Sequence, residues 1–105
     1  MTREEARARA KELVARMTLE EKISQMVYDS RSIERLGIKP YNWWNEALHG
    51  VARAGLATVF PQAIAMAASF DPELLGKVAS AIAEEARAKY NAAQREGDHG
   101  IYKGL

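Results

Sequence analysis

Ten consecutive residues, Tyr41 to Gly50 (YNWWNEALHG), gather two adjacent indoles, a carboxylate, two amides and an imidazole. A pyranose has apolar ring faces and a rim of hydroxyls. Indole faces flanked by carboxylate and amide groups are therefore the usual lining of a sugar-binding site. In that reading Trp43 and Trp44 offer the apolar wall and Glu46 the acceptor. The same residues also fit a plainer arrangement, with both indoles filling a core and Glu46 on a wet surface.

Other chemistries find little support. Cysteine is absent, which excludes a disulfide frame, a thiolate zinc cluster and a thiol nucleophile. His49 and His99 are far apart in sequence, and no His-x-x-x-His or Glu-x-x-His pairing occurs, so no metal and no cofactor is expected. Gly50 and Gly55 bracket Val51 to Ala54, a stretch without the lysine of a phosphate-binding loop. Nucleophile-elbow patterns are missing as well. Glu4, Glu5, Glu12, Glu20, Glu21, Glu84 and Glu85 lie among lysines and arginines on helical faces and read as solvated. The formal net charge is +1 with both signs interleaved, which makes no electrostatic case for nucleic acid or an anionic membrane as partner. Nor does any apolar run approach the roughly 20 residues that span a bilayer. The charged start, Thr2 to Arg7, does not resemble a signal peptide, so a cytoplasmic location is expected, although a secreted protein with its leader removed would read the same.

The elements that must position the Trp-rich stretch are mainly helical. Thr2 with Glu5 and Thr18 with Glu21 are capping boxes that open two successive helices. Ala6, Ala10, Leu13, Val14 and Met17 form the apolar stripe of the first helix. Leu19, Ile23, Met26 and Val27 form that of the second. From Tyr28 to Pro40 the chain reads as a connection with one short helical turn over Ile33 to Leu36, ended by Gly37 in the left-handed conformation. Trp43, Trp44, Ala47, Leu48, Val51 and Ala52 obey helical spacing, with Asn42 as N-cap, but the local pattern does not fix the fold of this segment. Ala57 to Phe60 reads as a short strand, and Gln62 to Phe70, with almost no polar face, as buried helix. Asp71-Pro72-Glu73 opens the longest helix, whose stripe is Leu75, Val78, Ala79, Ile82, Ala86 and Tyr90. Glu85 and Lys89 pair on its wet side and Gly97 ends it.

The stretch YNWWNEALHGVA resembles the first-strand segment of glycoside hydrolase family 3, the β-glucosidase and β-xylosidase family with an N-terminal (β/α)8 barrel. That resemblance would make Tyr41 to Trp44 a buried strand. Thr18 to Ile23, Arg35 to Ile38, Val59 to Ile64, Ser69 to Glu73, Glu85 to Asn91 and Gly100 to Leu105 recur in the same order in that family. The resemblance covers essentially the whole chain. It implies a single domain, 1–105, that is the front portion of the barrel and stops before the third strand. A complete barrel needs about 250 residues, so roughly two of eight strand–helix units are expected here. The implied fold class is mainly α, a helical fragment with at most two short parallel strands; the alternative is a fully α, rearranged oligomer.

The resemblance also assigns roles. Glu46 falls at the position of the acidic residue that accepts hydrogen bonds from the non-reducing sugar, a substrate-binding rather than catalytic role. Trp43 joins it in the wall of the substrate site, and His49 orders the loop through a hydrogen bond. The family's nucleophilic aspartate and acid/base glutamate lie further along than residue 105, so no catalytic residue is expected. The chain reads as a β-glycosidase fragment inactive alone, or alternatively as a self-associating helical scaffold without enzymatic role. Two strands cannot close a barrel, and their open edges invite pairing. Each stranded Leu, Ile or Val side chain would gain about 1.5–3 kcal/mol on burial. A homo-oligomer, most simply a symmetric dimer, is therefore the expected partner state.

Overall fold

The structure is a computed structural model, and it describes residues 1–103. The chain forms two compact units, Met1–Tyr41 and Asn42–Leu105. The first carries α1 (Arg3–Arg16), α2 (Leu19–Ser24), the strand β1 (Asp29–Ser30) and a 3-10 turn, Glu34–Leu36. Strand β2 (Tyr41–Asn42) lies at the boundary, and the second unit carries α3 (Ala63–Ala67) and α4 (Pro72–Arg95). About half of the described residues are thus helical.

In the first unit the helices start where side chains satisfy their orphan amides. Thr2 Oγ1 accepts from the Glu5 amide at 3.2 Å while Glu5 Oε2 accepts from the Thr2 amide at 2.6 Å. The second box repeats this, Thr18 with Glu21, at 3.2 and 2.9 Å. These bonds fix helix entry within one turn, which is why both starts follow from sequence. Neither helix buries a residue to the level of a core, and Val14 of the expected stripe is about half exposed, at 48%. α2 ends at Ser24, two and three residues short of Met26 and Val27. Arg35 then ties the unit together: Nε donates to Glu21 Oε1 at 2.8 Å and Nη2 donates to the Arg16 carbonyl at 2.9 Å and to Glu21 Oε2. Ile33 is buried beneath this turn, and its backbone exchanges both hydrogen bonds with Ile38. Gly37, at φ +67, makes the required left-handed turn between them.

The strands differ from expectation. β1 pairs with β2 in a two-stranded antiparallel sheet, and Ala57 to Phe60 forms no strand. A parallel pair needs a crossover packed against the sheet, whereas an antiparallel pair needs only a short connection. The turn at 34–37 supplies that connection, and the Ser30 hydroxyl reinforces it by donating to the Tyr41 carbonyl at 2.9 Å. The backbone around Thr58 and Phe60 is meanwhile committed to His49 and Glu85. The two-stranded sheet also rules out an all-helical chain. The helical alternative for the Trp segment fails: after β2 the Asn42 carboxamide accepts from the Trp44 amide at 3.0 Å, and Trp43 to Ala52 follows as loop. That bond is one an N-cap makes, and it is the non-helical backbone after it that decides.

In the second unit Asp71 caps α4, its Oδ1 accepting from the Leu74 amide at 2.9 Å with Pro72 in the first turn. Val51, Ala86 and Ala93 are its buried apolar residues. The stretch from Gln62 to Phe70, expected to be buried, is instead a five-residue helix with Ile64 at 79% and Phe70 at 92% exposure. Lack of polar residues requires a covering surface, and among the described residues only Met66 is partly covered, beside α4. Glu85 and Lys89 are likewise not a solvated pair, for both reach to a loop, as described below.

Candidate functional site

Glu46 sits at the start of a tight excursion of the backbone, residues 46–60. The Ala52 amide donates to the Glu46 carbonyl at 2.9 Å, an isolated antiparallel bridge that closes the loop at its first end. Gly50 lies at φ +127, and a Cβ there would stand 2.2 Å from the Thr58 carbonyl oxygen. Only glycine allows the two arms to approach so closely. Beside it, His49 takes both backbone and ring bonds to one residue: the Phe60 amide donates to the His49 carbonyl at 2.8 Å, and the ring Nδ1 lies 2.9 Å from the Phe60 carbonyl oxygen. A carbonyl can only accept, so this contact places a proton on Nδ1. His49 therefore orders the loop, as its assigned role requires.

The Glu46 carboxylate is about two-fifths exposed, and its Oε2 accepts from Arg53 Nε at 2.9 Å. That bond holds the Arg53 guanidinium above its usual pKa, and its central carbon stands 5.6 Å from the centre of the Tyr102 ring. Tyr102 also donates its amide to the Trp44 carbonyl at 3.2 Å. A glutamate, an arginine and two aromatic residues distant in sequence are thus joined in one connected set. Arg53 itself holds a left-handed backbone at φ +58. Sequence reading missed Arg53 and Tyr102. A basic residue seven positions after the acid, between two glycines, was the available signal.

A cleft of about 230 Å³ opens beside the carboxylate, lined by Glu46, Leu48, His49, Gly50, Val51 and Val59 among others. Glu46 is its acidic group. Trp43 and Trp44 lie stacked with ring centres 6.5 Å apart, each about half exposed, and neither lines this cleft. The structure therefore puts Trp43 three residues from Glu46 on an accessible surface, without placing both in one concavity. Among the described residues no group of three or more His, Asp or Glu could hold a metal ion. No helix among them is long and apolar enough to cross a membrane.

Loop 46–60 is also tied to α4. Glu85 accepts from the Thr58 amide at 3.0 Å and from its hydroxyl at 2.6 Å, and these bonds hold the carboxyl below its ordinary value. One turn further on, Lys89 Nζ donates to the carbonyls of Ala54 and Leu56 at 2.7 and 2.6 Å. Periodicity put both residues on the wet side of α4, and nothing local could have named their partners.

Comparison with known proteins completes the picture. The N-terminal domain model of glycosyl hydrolase family 3 matches residues 3–90. A probable beta-D-xylosidase 7 of Arabidopsis thaliana is 50% identical over 99 residues, covering 85% of this chain and 13% of the relative. A xylan 1,4-beta-xylosidase of Xylanibacter ruminicola is 52% identical over 86 residues, covering 82% and 10%. A probable exo-1,4-beta-xylosidase of Aspergillus flavus is 50% identical over 95 residues, covering 80% and 12%. The chain thus spans only about an eighth or less of the length of these relatives. With the match running through both helical starts, the Glu46 loop and most of α4, the chain belongs to glycosyl hydrolase family 3 and lies in its N-terminal domain.

Proposed function

We propose that this chain contributes the sugar-gripping edge of a β-xyloside-hydrolysing site, with Glu46 accepting hydroxyl hydrogen bonds and Trp43 offering an apolar face. The observation that carries this reading is the state of the Glu46 carboxylate. Arg53 engages Oε2, while the group stays partly exposed at the rim of a cleft that fits part of a small sugar. The names of the relatives favour xylosides over glucosides as the substrate class. A retaining glycosidase needs two carboxyl groups about 5–5.5 Å apart. In the Glu46 cleft the described residues supply one carboxylate, which supports a binding role and no turnover by these 105 residues alone.

A chromogenic β-xyloside assay on the 105-residue chain tests this. The expected result is background hydrolysis in both the wild type and Glu46→Ala; turnover abolished by Glu46→Ala would refute the assignment of binding without catalysis.

A second reading, self-association of copies, is favoured by the apolar surface of the second unit. Leu48, Leu56, Val59, Ile64 and Phe70 are each more than three-quarters exposed, and Leu75, Val78 and Ile82 line a cleft of about 580 Å³. Covering this surface with a second copy would offset part of the cost of association. Light scattering should give a mass of at least twice 11.7 kDa; a monomer with a cooperative melt would exclude it. This reading leaves room for a scaffold without enzymatic role.

A further inference from the structure

We propose that Glu85 and Lys89 of α4 are positioning residues that set the place of the Glu46 carboxylate by clamping the returning arm, residues 54–58, of loop 46–60. The proposal rests on the reading of Glu46 as a sugar ligand. Helical spacing brings the two side chains onto one face, one turn apart, with opposite charge. Lys89 lies close enough to favour the Glu85 charge, but the hydrogen bonds of both groups go to the loop. Glu85 binds two donors of Thr58, the residue whose carbonyl stands against Gly50. Lys89 binds two carbonyls, Ala54 and Leu56, immediately beyond Arg53.

From each anchor the path to Glu46 is short. On the Lys89 side, Ala54 is bonded covalently to Arg53, whose Nε holds Glu46 Oε2. On the Glu85 side, Thr58 packs on Gly50 and is two residues from Phe60, which is held twice by His49. Between them the Ala52 amide returns to the Glu46 carbonyl. The carbonyls of Ala54 and Leu56 and the amide of Thr58 have no helix or sheet to satisfy them, and the two charged groups do so with charge-assisted bonds. A loop fixed at 54–58 cannot shift Arg53 without breaking one of them.

The experiment compares Glu85→Ala, Glu85→Gln, Lys89→Met and Lys89→Arg with the wild-type chain. A control, Lys77→Ala, removes an exposed ion pair with Glu73 on the same helix. Two quantities are read: amide hydrogen exchange at Ala52, Thr58 and Phe60, and binding of methyl β-D-xyloside followed by tryptophan fluorescence. Glu85→Ala and Lys89→Met should speed exchange at those amides by about tenfold or more, since charge-assisted bonds are lost. Exchange within Leu75 to Ala83 should stay unchanged, xyloside binding should weaken by a similar factor, and Lys89→Arg should restore most of both. Unchanged exchange at the three loop amides would overturn the clamp, as would a freed loop with undiminished xyloside affinity. If the wild-type chain does not bind xyloside at all, the sugar-ligand reading fails. The clamp is then judged on loop exchange alone. Should Glu85→Ala fail to fold, Glu85→Gln, which keeps an acceptor for Thr58, decides through the same readouts.

Discussion

The two compact units are held by different kinds of contact. In Met1–Tyr41 most side-chain hydrogen bonds span three residues or fewer, as in the two capping boxes, and one arginine, Arg35, supplies the reach across 14 and 19 residues. In Asn42–Leu105 the loop that carries Glu46 is held across 27 to 35 residues by Glu85 and Lys89. Local contacts fix where helices begin. Distant ones fix the loop that carries the candidate side chain. Two of the glycines with positive φ, one in each unit, show the same contrast. Gly37 has open space around it, whereas Gly50 faces a carbonyl of the opposite arm.

Gly50→Ala should therefore produce the largest loss. The left-handed φ alone costs on the order of 1–3 kcal/mol, and the 2.2 Å approach to Thr58 forces the arms apart as well. A thermal melt of the second unit should fall sharply, with lost protection at Phe60. If Gly50→Ala melts like the wild type, the two arms do not approach as described.

Gly37→Ala should cost less, about 1–2 kcal/mol, because only the backbone conformation is penalised. Asparagine at this position should recover part of that loss, and a cost equal to that at Gly50 would erase the distinction between the units. Thr18→Ala should remove about 1 kcal/mol by leaving the Glu21 amide without its cap, read as lost protection in α2 with α4 unaffected.

The smallest effect is the response to acid. Hydrogen bonding to Arg35 and then Thr18 holds Glu21 below 4.5, and Thr58 holds Glu85 below the same value. A carboxyl with a lowered folded pKa adds stability above its unfolded value, and that stability disappears as pH falls through the folded one. Both units should therefore soften only below about pH 4.5, and modestly, since these groups are exposed to screening. Glu21→Gln should flatten the response of the first unit, and Glu85→Gln that of the second. An undiminished response in either variant would locate the titrating group elsewhere.

This contrast also explains what could be read from the sequence. Thr2 with Glu5, Thr18 with Glu21, Gly37 and Asp71-Pro72 were legible because each cap or turn completes itself within a few residues. The strand at Asp29–Ser30 was not, for its partner lies beyond a turn and two residues carry little pattern. Nor was the absence of strand at Ala57 to Phe60, where β-favouring Val59 and Phe60 were overruled by bonds from His49 and Glu85. In the candidate site, Glu46 stands out in the sequence by type and resemblance only, and the hydrogen bond expected of His49 is present. Arg53, Tyr102, Glu85 and Lys89 became visible only when folding brought them together. Of the closing motif Gly100 to Leu105, Gly104 and Leu105 lie outside the described residues.

Whether Glu46 is a sugar ligand is tested most directly by a titration of the isotope-labelled chain with methyl β-D-xyloside, followed by NMR. Saturable shifts centred on Trp43, Glu46 and Arg53, and absent in Glu46→Ala, are predicted. Shifts that persist in Glu46→Ala, or a spectrum that does not move, would contradict that role.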